Sequence, residues 1–135
     1  MWAVKDYPPA SLSPSHFSWV KIDSSRVIEV LYKSPPPSHS DDWAVISGNF
    51  SFRSKNVAMN LILELLSHEE SQINGEYYLD SIITFALRKG ISVGVLEIPN
   101  YFSLGTVDEL QTFNYWSEVL KQNSLLLHKV SDEKS

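Results

Sequence analysis

Between residues 17 and 53 the apolar side chains come in short runs and alternations, and from residue 57 onward they fall at helical spacing. Residues 17–33 predict two strands. Phe17, Trp19 and Ile22 precede a turn at Asp23-Ser24-Ser25-Arg26, and Val27, Ile28, Val30, Leu31 and Tyr32 follow it. These are mainly the β-branched and aromatic types that suit a pleated surface. Residues 43–53 predict a third strand, with Val45 and Ile46 before Gly48, then Phe50 and Phe52 alternating with polar residues. The period then changes. Val57, Ala58, Leu61, Ile62, Leu65 and Leu66 mark a helix with Ser54 as its N-cap. A second helix is expected over 76–89, with the stripe Leu79, Ile82, Ile83, Ala86 and Leu87. Arg88, Lys89 and Gly90 stop it, because cations suit the negative helix end and glycine suits a left-handed cap. Residues 91–98 predict a strand closed by Pro99. Thr106 and Glu109 have the spacing of a reciprocal cap, and the helix behind them carries Leu110, Phe113, Trp116 and Leu120.

Proline-rich stretches punctuate this pattern. Residues 1–16 hold Pro8, Pro9 and Pro14 and predict an irregular extended segment, and residues 34–40 hold three prolines and predict a loop. Residues 121–135 form a polar tail, frayed from Ser131. The element order predicts an α/β domain over 17–120, a mixed sheet with flanking helices. Two helices separate strands 43–53 and 91–98, a crossover that permits parallel pairing.

Composition narrows the class. The chain has 135 residues, enough for one compact domain, and is 43% hydrophobic and 12% aromatic, which fits a packed core. Its net charge is -5 and it has no Lys/Arg cluster, which argues against a nucleic-acid partner. No apolar run approaches the length of a membrane span, and the first residues carry no secretion signal, so the expected compartment is cytoplasmic. The lack of cysteine excludes disulfides and thiolate metal sites. His16, His39, His68 and His128 lack metal-ligand spacing and read as surface or core histidines. Phe113, Tyr115 and Trp116 read as core.

Four phrases, taken in order, resemble the second half of a nucleotidyltransferase that activates sugar 1-phosphates, such as the glucose-1-phosphate thymidylyltransferases. The first is the hairpin from Trp19 to Pro35, similar to a family hairpin that ends in Glu-Lys-Pro. The second is Ala44 to Phe52, and the third is Gly75-Glu76-Tyr77-Tyr78-Leu79-Asp80, taken to open a helix. The fourth is Gly105-Thr106-Val107-Asp108-Glu109-Leu110. The resemblance covers roughly residues 7–120 and rests on the ordered set. It implies a partial Rossmann-like nucleotide-diphospho-sugar transferase fold whose N-terminal half is missing. It also implies transfer of a nucleoside monophosphate from a nucleoside triphosphate to a sugar 1-phosphate, with release of pyrophosphate.

The resemblance assigns substrate-binding roles to Lys33, Gly48, Glu76 and Asp80. A compact ammonium suits a phosphate, and a carboxylate accepts from two hydroxyls. Each residue also has a plainer reading: an exposed lysine before a proline loop, a bulge glycine, a helix-start acid and a solvated helix surface. The sequence departs from the family at Tyr32, which stands where the glutamate of Glu-Lys-Pro is expected. It departs again at Ser103, where the family often has a Mg²⁺-binding aspartate, so Mg²⁺ is expected of the intact family enzyme and no metal is assigned to this chain alone. Gly105 and Thr106 read as turn and cap, and Asp108 as a helix-start acid. Gly48, Gly75, Gly90, Gly94 and Gly105 do not form the glycine-rich loop that cradles a triphosphate. Activity is therefore expected only with a separate N-terminal half as partner. A binding or assembly module, including a homo-oligomer, and a truncated product remain open.

Overall fold

The computed structural model describes residues 1–37 and 42–132. The chain divides into two units, Met1–Tyr101 and Phe102–Ser135. In the first unit five strands among the described residues form one mixed sheet with helices, in the order β3-β2-β4-β1-β5. The hairpin is as the pattern predicts: β2 (Trp19–Asp23) runs antiparallel to β3 (Arg26–Leu31), joined by Ser24 and Ser25. Both turn residues lie at positive φ, 50° and 62°, the mirror-image turn whose twist matches the flanking strands. The register shifts between Lys21 and Ile22. β4 (Trp43–Ile46) pairs antiparallel with β2, opposing Ala44 to Val20.

The N-terminal segment departs from expectation. Residues 2–4 are not irregular but form β1 (Trp2–Val4), an inner strand. It pairs antiparallel with β4 and parallel with β5 (Leu96–Glu97). Thus β4 and β5 do not pair, because β1 lies between them. Pro8 and Pro9 open α1 (Pro8–Leu12), at the first-turn positions where a missing N–H costs no helical hydrogen bond. The third strand ends at Ile46 rather than at residue 53, because Gly48 takes φ +85° and turns the chain out of the sheet.

Side chains alternate across the inner strands. Ala3, Val20, Ala44 and Ile46 face one way and pack with Ile83, while Val4, Trp19, Trp43 and Val45 face the other and pack with Ala10 of α1. All four residues of β4 are buried, as expected of a strand covered on both faces. α2 (Lys55–Leu66) is capped by the Ser54 hydroxyl, which accepts the Val57 N–H at 3.3 Å. Its Leu61 and Leu65 pack on Ile82, Phe85 and Ala86 of α3 (Ile82–Arg88). α3 ends at the predicted stop. Gly90 at φ +69° donates to the Leu87 carbonyl and Ile91 donates to that of Ala86, which satisfies two helix-end acceptors.

Phe102–Ser135 is the second unit, built on α4 (Val107–Asp132), a helix that continues well past residue 120. Its predicted cap is formed in both directions. Thr106 N–H donates to Glu109 Oε2 at 3.0 Å, and Glu109 N–H donates to Thr106 Oγ1 at 3.2 Å. Phe113, Tyr115 and Trp116, expected in a core, are exposed. His39 and the last three residues of the tail lie outside the described residues. No described helix is long and apolar enough to cross a membrane.

Candidate functional site

The Gly75–Asp80 phrase does not open a helix. Asn74 and Gly75 take φ 55° and 80°, and Ile73 and Glu76 exchange two backbone hydrogen bonds of 2.9 and 3.1 Å across them. This is a two-residue turn of the kind that Asn-Gly forms readily. The chain then enters a short 3₁₀ turn, Leu79–Ser81, and the α-helix starts only at Ile82. The apolar stripe gives the helix its face but does not fix its first residue. The Asn74-Gly75 pair carries that information.

The turn aims Glu76 back at its neighbour. The Tyr78 hydroxyl donates to Glu76 Oε2 at 2.8 Å. That hydrogen bond to the carboxylate raises the Tyr78 pKa above the ordinary tyrosine value. Lys33 reaches the same ring from just past the end of β3, its Nζ standing 5.3 Å from the Tyr78 ring centroid. Lys33 itself is left-handed, at φ 49°, and its Nζ donates to the His16 carbonyl at 2.7 Å. That carbonyl belongs to the last residue of the 3₁₀ turn Pro14–His16, which Trp19 Nε1 holds through the Pro14 carbonyl at 2.9 Å. The ammonium therefore rests between a backbone oxygen and a tyrosine face, with no carboxylate within ion-pair distance among the described residues.

Tyr32 explains how the β3 end is held. Its hydroxyl oxygen accepts the Thr84 N–H at 3.2 Å and shares hydrogen bonds with Thr84 Oγ1 at 2.7 Å and the Ser81 carbonyl at 3.3 Å. Burial pushes its pKa up to about 12. Tyr32 thus clamps the end of β3 onto the start of α3. Asp80 lies in the intervening turn, and its charge acts on both the Tyr32 and Tyr78 hydroxyls. Lys33, Glu76 and Asp80 are therefore gathered around Tyr78 and Tyr32.

Gly48 is placed differently. It leaves β4 at the sheet end that Lys33 also leaves, but β2 lies between their two strands. A Cβ added there would touch nothing within 4 Å, so the glycine answers to backbone conformation rather than crowding. Its neighbours bind β1: Ser47 N–H donates to the Trp2 carbonyl, and Trp2 N–H to that of Asn49. Asp108 lies in the first turn of α4, where a negative charge suits the helix dipole.

Sequence reasoning missed Tyr78, the His16 carbonyl and the Tyr32 clamp. Tyr78 sits inside a recognised phrase, so its type and position were visible; the backbone acceptor had no sequence signal. No group of three or more His, Asp or Glu among the described residues is arranged to hold a metal ion. No family model, curated protein or solved structure matches the chain.

Proposed function

We propose that the chain is the sugar-phosphate-binding part of a nucleotidyltransferase, within a partial Rossmann-like domain of the nucleotide-diphospho-sugar transferase kind. The contact series from Lys33 through the Tyr78 ring to Glu76 carries this reading. A sugar 1-phosphate presents an anion, a ring with C–H faces and hydroxyl groups in that order. The ammonium answers the anion, the tyrosine face covers the ring, and the carboxylate accepts from the hydroxyls. Asp80, whose charge acts on the Tyr78 hydroxyl, supplies a second acceptor. Gly48 supports the site indirectly, by ending β4 and letting the next residues hold β1.

Nucleotidyl transfer also needs a cradle for the triphosphate and a cation to offset charge on the phosphoryl oxygens. None of the glycines in this sequence has the spacing of such a cradle. The chain therefore binds a sugar 1-phosphate without turning it over, and turnover needs a glycine-rich nucleotide-binding partner and Mg²⁺. A second reading, an assembly module, draws on the exposed Leu110, Trp116 and Leu120 of α4.

Calorimetric titration with glucose 1-phosphate tests the first reading. Saturable heat is expected, and Lys33→Ala should weaken binding by about tenfold, the order of one charge-assisted hydrogen bond. The chain alone should release no pyrophosphate from a nucleoside triphosphate and Mg²⁺. A flat wild-type titration removes the reading, and a concentration-dependent mass in sedimentation would then favour assembly.

A further inference from the structure

Tyr32 also borders a cleft that holds none of the residues just assigned. The turn before α3 and the helix itself place Ser81, Thr84, Phe85 and Arg88 at i, i+3, i+4 and i+7. That spacing puts two hydroxyls, a phenyl ring and a guanidinium on one face. They line a cleft of about 330 Å³, together with Tyr32, His68 and residues 70–73. Ligand sites begin at about this size, so the cleft suits a small molecule.

One buried hydroxyl there is unmatched, and two exposed charges are unpaired. The Ser81 hydroxyl is 4% exposed yet has no hydrogen-bond partner among the described residues. Arg88 forms neither a hydrogen bond nor an ion pair among them, and its guanidinium carbon stands 6.0 Å from the Phe85 ring. Glu70, in the same cleft, is not paired with Arg88 or any other cation among the described residues. His68 is already oriented. Its Nδ1 donates to the Glu64 carbonyl at 2.8 Å, and its ring lies 5.2 Å from that of Phe85, which leaves Nε2 unused.

A guanidinium fork fits an oxyanion, whereas a carboxylate accepts from hydroxyls. We propose that this cleft is a second ligand site, selective for a small oxyanion that also carries hydroxyl groups. Arg88 holds the anion. Glu70 and the Thr84 hydroxyl take its hydroxyls, directly or through water. This assignment uses neither Lys33, Glu76 nor Asp80, so it stands or falls apart from the sugar 1-phosphate reading.

The test follows backbone amide NMR signals of the full chain during titration with glycerol 3-phosphate, glycerate and glycerol. Saturable shifts at His68, Thr84 and Arg88 are expected with one or both anions by about 10 mM, and none with glycerol. Glycerol 3-phosphate and glycerate distinguish a phosphate from a carboxylate ligand. Arg88→Gln should weaken anion binding by about tenfold while the melting temperature holds, and Glu70→Gln should weaken it by a smaller factor. No shift with either anion overturns the proposal. So does glycerol binding as well as the anions, or anion shifts that survive Arg88→Gln but vanish in Lys33→Ala.

Discussion

At the residue scale, Tyr32 shows how one buried hydroxyl can tie a strand end to a helix start. Its hydroxyl bridges the end of β3 to Thr84 and Ser81 across about fifty residues of chain. Tyr32→Phe should destabilise the fold by about 1–3 kcal/mol, because it strands buried partners, and urea unfolding measures this. The same group predicts a pH dependence. Burial raises its pKa to about 12 in the folded state, above the ordinary value of 10. The folded chain therefore binds the proton more tightly than the unfolded one. Its contribution is complete below about pH 10 and is lost as pH rises toward 12. Stability should fall across that window, by up to about 2–3 kcal/mol, and fall less in Tyr32→Phe. Equal slopes in the two proteins would mean that other groups govern alkaline unfolding.

At the element scale, turn chemistry decides where strands and helices begin. The Ser54 cap, the Thr106–Glu109 cap and the Gly90 stop were legible because each is a local rule met by a named residue. β1 was not, because three apolar residues carry no period, and its place in the sheet depends on strands far along the chain. The helix over 76–89 was half legible: the stripe fixed its buried face, while Asn74-Gly75 moved its start to Ile82. In the candidate site, the resemblance singled out Lys33, Glu76 and Asp80. The Tyr78 contact that joins two of them depends on how the chain turns after Glu76. Gly75→Ala should cost about 1–2 kcal/mol at φ +80° and weaken glucose 1-phosphate binding, since Glu76 follows that turn. Thermal melts and titration read the two effects separately. The hairpin offers the opposite change. Ser24 and Ser25 occupy left-handed positions that Asn and Gly fill more readily, so Ser24→Asn with Ser25→Gly should raise stability by about 1 kcal/mol. A lower melting temperature would show that these serines do more than turn the chain.

At the scale of the whole molecule, the three clusters of buried residues all lie within residues 1–101. A protein of those residues should therefore melt in one cooperative step, with near-UV dichroism like that of the same residues in the full chain. A broad transition would show that residues 102–135 are needed for the packing. The sheet also brings together distant parts of the chain, since its inner strand β1 pairs with β5 some ninety residues later. Contacts of such long range are closed late and against a larger entropy than the adjacent β2–β3 hairpin. In pulse-labelled hydrogen exchange during refolding, the hairpin amides should become protected first. The Leu96 and Ile98 amides, which donate to Met1 and Ala3, should follow in a slower phase. The two ends of this unit would then meet at the last seam to close, and the time the fold takes to form would be set there rather than in the larger apolar clusters.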